Sequence, residues 1–281
     1  EAWRPKNDNN TFLGPIRLRE ALYRSRNLVS IRVLQAIGID YALAYVSRFG
    51  FERDQLPRNL SLALGTPGLT PLEVATGWSV FANEGYKVTP YVVDHVTDRD
   101  GKVVYRTAAP RVPQQVQAKA APGVEVTPAA DTAASDPANP APVFAPQVID
   151  PRNAFIMNSM LQDVIKRGTG RKALELGRND LAGKTGTTNE SKDTWFSGYN
   201  GDYVTTVWAG FDQPETLGRQ EFGGTVALPI WMSYMGAALK DKPPHQLKEP
   251  EGIVSIRVDP TTGRAAPPGT PNAYFELFKS E

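Results

Sequence analysis

Two short runs in this 281-residue chain carry side chains suited to acyl transfer. Gly183-Lys184-Thr185-Gly186-Thr187-Thr188 sets a cation, hydroxyls and closely approachable backbone along one stretch. Ser25-Arg26-Asn27 sets a hydroxyl two residues from an amide. A strand bearing Lys184, Thr185 and Thr187 suits a substrate that has a carboxylate and passes through an oxyanion, because fixed positive charge and N–H groups stabilise charge that develops in the transition state. The same letters also end a phosphate-binding loop. That loop needs a glycine five places before Gly183 and a helix after it. Position 178 is Arg178, and Gly177 stands one place early. Thr194 to Tyr199 is β-branched and aromatic without helical period, which argues strand. The phosphate reading therefore fails on spacing and on context.

The elements that must hold these groups follow from pattern. Asn200-Gly201 reads as a type I′ hairpin turn. Tyr203 to Phe211 is a further strand, so 181–211 is expected to be a three-strand antiparallel meander with Lys184 on its first strand. Helices are expected over 15–23, 28–37 (stopped by Gly38) and 41–49 (stopped by Gly50). Thr70-Pro71-Leu72-Glu73 is a capping box that opens a helix to about 83, burying Val74, Trp78 and Phe81. Residues 88–106 change to period two around Asp100-Gly101, a hairpin. Asp150-Pro151 caps a helix to about 165 with Phe155, Ile156, Met160, Leu161 and Val164 on its core face. Arg167-Gly168-Thr169-Gly170-Arg171 ends it, as a helix stop alone or also as a shaper of the cleft rim. A last long helix spans 226–239, with Trp231 and Tyr234 as bulk. The tail holds a strand over 253–258 and a Pro/Gly-rich stretch before Tyr274-Phe275. Residues 107–149 are rich in Ala, Pro, Val and Gln and read as a mobile insertion within one fold. The expected organisation is thus 1–106, helical part plus hairpin; 107–149, insertion; 150–245, helix, sheet and last helix; 246–281, C-terminal extension.

Composition removes several functions. Net charge is +1, from 31 Lys+Arg and 30 Asp+Glu, so no electrostatic footprint for nucleic acid is present. There is no cysteine, which excludes disulfides and thiolate metal sites. The two histidines, His95 and His245, lie far apart without a motif, so a His-based zinc site and a Ser-His-Asp triad find no support. No cofactor or metal is expected. No apolar run reaches the ~18 residues of a membrane span.

Ser25-x-Asn27 and Lys184-Thr-Gly186, in this order, are two of three marks of a serine acyltransferase architecture. The third, Ser-x-x-Lys, occurs nowhere in the chain. Around these marks the stretches 3–27, 64–86, 152–171 and 181–212 resemble the transpeptidase domain of class A (bifunctional) penicillin-binding proteins, most like the type 1a enzymes of Gram-negative bacteria. The resemblance implies an α+β fold: an antiparallel sheet flanked by helices, with a mostly helical subdomain. It implies a nucleophilic Ser-x-x-Lys, a glycosyltransferase domain and a membrane anchor upstream of this chain, at the periplasmic face of the inner membrane. It implies roles for residues. Ser25 bridges the nucleophile's lysine and Lys184 and shuttles a proton toward the leaving group. Asn27 offers its amide to the substrate's peptide group. Thr185 and Thr187 hold its terminal carboxylate, Gly186 lets it lie close, and the Thr187 N–H helps hold the oxyanion. Peptidoglycan stem peptides and β-lactams are the implied ligands, with cell-envelope regulators as further partners.

Two other readings stand beside this one. A β-lactamase or D,D-carboxypeptidase of the same fold lacks a recognisable deacylating glutamate here. A non-catalytic, penicillin-binding-like interaction module fits a chain without a nucleophile.

Overall fold

The protein is described by a computed structural model covering residues 4–7, 10–113 and 136–280. Helix α1 (Leu18–Tyr23) is shorter than the pattern suggests, because Arg17 is extended (φ −65°, ψ 146°) and leaves Pro15 outside it. Helix α2 (Asn27–Ile37) stops at Gly38, whose φ of 86° suits glycine. Helix α3 (Ile39–Val46) begins at once, and the chain bends by 98° between the two. Among the described residues no single helix is long and apolar enough to cross a membrane.

Helix α4 (Pro71–Ala82) has both arms of the expected capping box: Glu73 N–H donates to Thr70 Oγ1 at 3.2 Å, and Thr70 N–H donates to Glu73 Oε2 at 2.7 Å. Its buried face differs from the expected one. Val80 is fully buried, while Trp78 and Phe81 are half-buried and lean edge-on against Tyr199 and tilted against Phe49. Large rings fill the gaps between layers, and the small aliphatic residue takes the tight centre. Beyond α4, strands β1 (His95–Thr97) and β2 (Val103–Arg106) form the expected hairpin, largely exposed.

The segment expected as an insertion is anchored at its far end. Lys87 N–H donates to the Pro146 carbonyl and Val148 N–H to the Gly85 carbonyl, and Ile149 is buried. Gly85 (φ 100°) is needed there, since a Cβ would lie 2.4 Å from the Ile149 carbonyl. Residues 114–135 of that segment lie outside the described residues.

Helix α5 (Pro151–Arg167) starts at Asp150, whose carboxylate accepts from Arg152 N–H at 2.8 Å. It buries Ala154, Asn158, Leu161, Val164 and Ile165, a helical stripe. Phe155, Ile156 and Met160 are only half-buried, because this stripe lies a step round the helix from the bulkiest residues.

The meander is present as β3 (Ala182–Thr187), β4 (Asp193–Tyr199) and β5 (Val204–Gly210), in that order and antiparallel. Helix α6 (Ala227–Ala238) covers one face. Trp231 packs on Phe196 at 4.9 Å, and Gly198 admits the indole where a Cβ would come within 2.8 Å. Tyr234 faces out. The other face carries Ala182 and Tyr199 against Leu161 and Ala82.

The β4–β5 turn is not type I′, for neither Asn200 nor Gly201 has positive φ. Asn200 instead turns the chain with its side chain, accepting from the N–H groups of Asp202 and Tyr203 at 3.0 Å. Gly201 is needed for contact: a Cβ would meet the His245 ring at 2.5 Å. The tail forms a hairpin of β6 (Ile253–Val258) and β7 (Tyr274–Lys279). The second strand, β7, is not anticipated by the sequence pattern.

Candidate active site

Lys184 stands in the middle of β3, opposite Ser197 of β4. Alternation on a strand sends Lys184 to the face that α1 and α5 share, and sends Thr185 to the other. Ser25 reaches the same place from the turn between α1 and α2. That turn is tight: Ser25 N–H donates to the Leu22 carbonyl and Arg26 N–H to the Ala21 carbonyl. Ser25 itself is left-handed, at φ 53°. A serine held in that region costs about 1–3 kcal/mol, and such outliers gather at functional sites.

The outcome is a hydrogen bond across 159 residues of sequence: Lys184 Nζ donates to Ser25 Oγ at 2.7 Å. The same ammonium donates to the Thr185 carbonyl at 2.9 Å. The residue as a whole is half-buried, but its charged head is desolvated. Burial lowers its pKa from 10.5 to about 8, near the range in which a lysine can exchange its proton.

Beyond Lys184 the strand is tied to two loops. Thr185 Oγ1 lies 2.6 Å from Thr169 Oγ1, in the glycine turn that ends α5. Thr187 Oγ1 accepts from Gly223 N–H at 3.0 Å. Gly223 lies so near that a Cβ would fall 2.5 Å from the Gly186 carbonyl. Thr187 and Thr188 are exposed. Strand β3 is at the edge of its sheet, so among the described strands its outer backbone groups have no ladder partner. An open groove of about 300 Å³ runs beside Ser25, lined by Tyr23, Arg24, Arg26, Arg167, Gly168 and Thr169.

A family model described as the penicillin-binding protein transpeptidase domain matches residues 1–235. The chain belongs to this family. Penicillin-binding protein 1A of Pseudomonas aeruginosa is 63% identical over the whole chain, which spans 36% of that relative's length. Penicillin-binding protein 1A of Neisseria gonorrhoeae is 48% identical over 90% of the chain, spanning 28% of its own length. The crystal structure of penicillin-binding protein 1A from Haemophilus influenzae superposes with a TM-score of 0.85 at 35% identity, covering 99% of this chain and 42% of that one. A Mycobacterium tuberculosis protein solved in complex with penicillin V shares the fold, at TM-score 0.65 and 21% identity, over 87% of this chain and 62% of that one. The α+β architecture is therefore that of penicillin-binding transpeptidase domains, and this chain spans about a third of the length of the curated relatives it matches.

Within this transpeptidase domain the structure brings Ser25 against Lys184, and Thr185, Gly186 and Thr187 follow Lys184 along β3, with Thr185 held to Thr169 and Thr187 to Gly223. Asn27 opens α2 beside them, with its Nδ2 donating to the Lys6 carbonyl at 3.0 Å. Gly223 is the residue that sequence reasoning missed. Thr169 belongs to the 167–171 turn, which lines the groove beside Ser25, but its contact with Thr185 has no signal in the sequence. The Gly223-Gly224 pair was a signal for close backbone approach. Both histidines make polar contacts at the surface, His95 Nδ1 lying 2.7 Å from Asp94 Oδ2 and His245 Nδ1 3.0 Å from Asp202 Oδ1. Among the described residues no cluster of His, Asp or Glu is arranged to hold a metal ion.

Proposed function

We propose that this chain builds one wall of a serine D,D-transpeptidase site that cross-links peptidoglycan stem peptides through an acyl-serine intermediate. The observation that carries this reading is the 2.7 Å contact of Lys184 Nζ with Ser25 Oγ. The nucleophile is the serine of a Ser-x-x-Lys segment that these 281 residues do not contain. A glycosyltransferase domain and a membrane anchor at the periplasmic face of the inner membrane belong to the same longer protein.

In this reading Ser25 passes the nucleophile's proton toward the leaving amine, with its hydroxyl held by the Lys184 ammonium. The substrate lies along the outer edge of β3 as an added strand, a mode in which main-chain hydrogen bonds supply affinity. Its terminal carboxylate meets the hydroxyls of Thr185 and Thr187 in the positive potential of Lys184. Thr169 orients the first of those hydroxyls and the Gly223 N–H the second. The amide of Asn27 has a second proton for the substrate's peptide group, beyond the one given to Lys6. The Thr187 N–H and the N–H of the nucleophilic serine form the oxyanion hole. One such donor is worth about 2.7–4 kcal/mol in other acyl-transfer enzymes. β-Lactams, which present a carboxylate and a strained amide, enter by the same route and leave the serine acylated.

The test is the pH dependence of acylation of the intact protein by a carboxylate-bearing fluorescent penicillin. The second-order rate reports the free protein, so it falls as pH rises through about 8, where Lys184 loses its proton. A rate that stays flat from pH 7 to beyond 10 would remove Lys184 from this role.

A further inference from the structure

We propose that the C-terminal β6–β7 hairpin is a working part of the acyl-transfer site, with Glu276 acting as a positioning residue for Ser25. The inference rests on the acyl-transfer reading above. The hairpin lies beyond residue 235, where the match to the transpeptidase family model ends.

Helix α1 delivers Ser25, yet it has six residues and no side-chain cap. So short a helix does not hold itself in water, and its place must be set by what packs on it. The grip is Arg19, which is 8% exposed. Its Nε and Nη2 meet the Glu276 carboxylate at 2.8 Å and 2.5 Å, a two-pronged contact with β7. Its Nη1 donates to Ser159 at 2.9 Å and to Asp163 at 3.2 Å, both on α5. One guanidinium thus joins α1, α5 and β7. Arg17 adds a second tie, with its guanidinium 3.8 Å from the centre of the Tyr274 ring on β7.

The charges close on themselves. Asp163 takes Arg19 on one oxygen and Arg167 on the other, and Glu276 takes Arg19 on both. A planar fork fixes angle as well as distance, which a single ion contact does not. Six residues after Arg19 the chain reaches Ser25 in its left-handed turn. The opposite end of α1 is held by the Tyr23 carbonyl, which accepts from Thr169 N–H at 3.2 Å. Gly168 is pressed so close to that carbonyl that a Cβ would lie at 2.4 Å. Ser25 is therefore located by two clamps: the glycine turn at its near side and the β7 carboxylate through Arg19. Loss of the second clamp lets α1 shift while the first still holds the chain in the fold. A displacement of about 1 Å in a positioned group costs on the order of 100-fold in rate.

The experiment is a double-substitution cycle in the intact protein, read as the second-order rate of acylation by fluorescent penicillin. The rate is normalised to the fraction of protein that labels at long times, so that unfolded molecules do not count. Glu276→Gln keeps the shape and removes the charge, and Glu276→Asp keeps the charge on a shorter arm. With Ser25 present, Glu276→Gln is expected to lower the rate about 10- to 100-fold, with Glu276→Asp intermediate. In the Ser25→Ala protein, the same Glu276→Gln change is expected to cost less than about twofold, because residues that act through one another are not additive. Equal losses in both backgrounds, or no loss with Ser25 present, overturn the inference while leaving the acyl-transfer reading intact. An unsubstituted protein that takes no penicillin overturns that reading, and the inference with it.

Discussion

Lys184→Met is expected to slow acylation of the intact protein by about 10²–10³-fold, the scale on which a preorganised electrostatic contact is lost from an acyl-transfer site. The same substitution is expected to raise the melting temperature at pH 7. The two effects share one cause. Burial holds the Lys184 pKa at about 8 against 10.5 for a free lysine. Between these values the unfolded chain binds more protons than the folded one, so stability rises with pH through that window. Below pH 8 the folded state bears the full cost of the desolvated cation, about 3 kcal/mol. Methionine removes that cost and fills similar space. It also loses the hydrogen bonds to Ser25 and to the Thr185 carbonyl, each worth about 1 kcal/mol net. The balance at pH 7 is about +1 kcal/mol, or about 2–4 °C for a domain of this size. Above pH 10.5 the cost has vanished from the natural protein and only the lost hydrogen bonds remain, so the order of stabilities reverses. Calorimetry at the two pH values checks this directly. A melting temperature that falls at pH 7 would mean that the Lys184 cation stabilises the fold.

Ser25→Gly is the second large effect. Loss of the hydroxyl proposed to relay the proton is expected to lower the acylation rate about 10²–10⁴-fold, the usual contribution of a positioned proton-transfer group. Glycine also relieves the left-handed backbone, which Ser25 occupies at φ 53°. The Ser25→Gly protein therefore melts at or above the temperature of Ser25→Ala, which keeps the strained backbone. Equal rates for Ser25→Gly and Ser25→Ala assign the loss to the hydroxyl. A Gly variant that acylates at the natural rate would show that the backbone turn alone matters, and would remove Ser25 from the chemistry.

Much of the candidate site was legible because its parts lie in contiguous runs. Lys184, Thr185 and Thr187 are neighbours on a strand whose period and aromatic partner strand are local signals, and the three-strand meander follows from the same stretch. Ser25 could be paired with Lys184 because the order of short motifs matched a known architecture. Contacts between distant segments were not legible. Nothing near Thr169 announces that its hydroxyl meets Thr185, and nothing near Glu276 announces Arg19. The β4–β5 turn shows a related limit. Asn-Gly favours type I′ in an isolated hairpin, but here Asp180, Asp202 and His245 recruit Asn200 and Gly201 into a polar junction around the buried Asn200 and Asp180 side chains. Tertiary packing overrode the local preference. The helix faces drifted for the same reason. Bulk chose Trp78, Phe81, Phe155 and Met160 for the core, but close approach of layers chose Val80, Ala154 and Asn158.

Lys184, Ser25 and the threonines are proposed to serve a nucleophile that these 281 residues do not supply. The direct measurement is to label the intact protein with penicillin, digest it and locate the acyl group by mass spectrometry. One adduct is expected, on the serine of a Ser-x-x-Lys segment outside residues 1–281, and none on any serine within them. An adduct on Ser25 or on any other serine of this chain would contradict it.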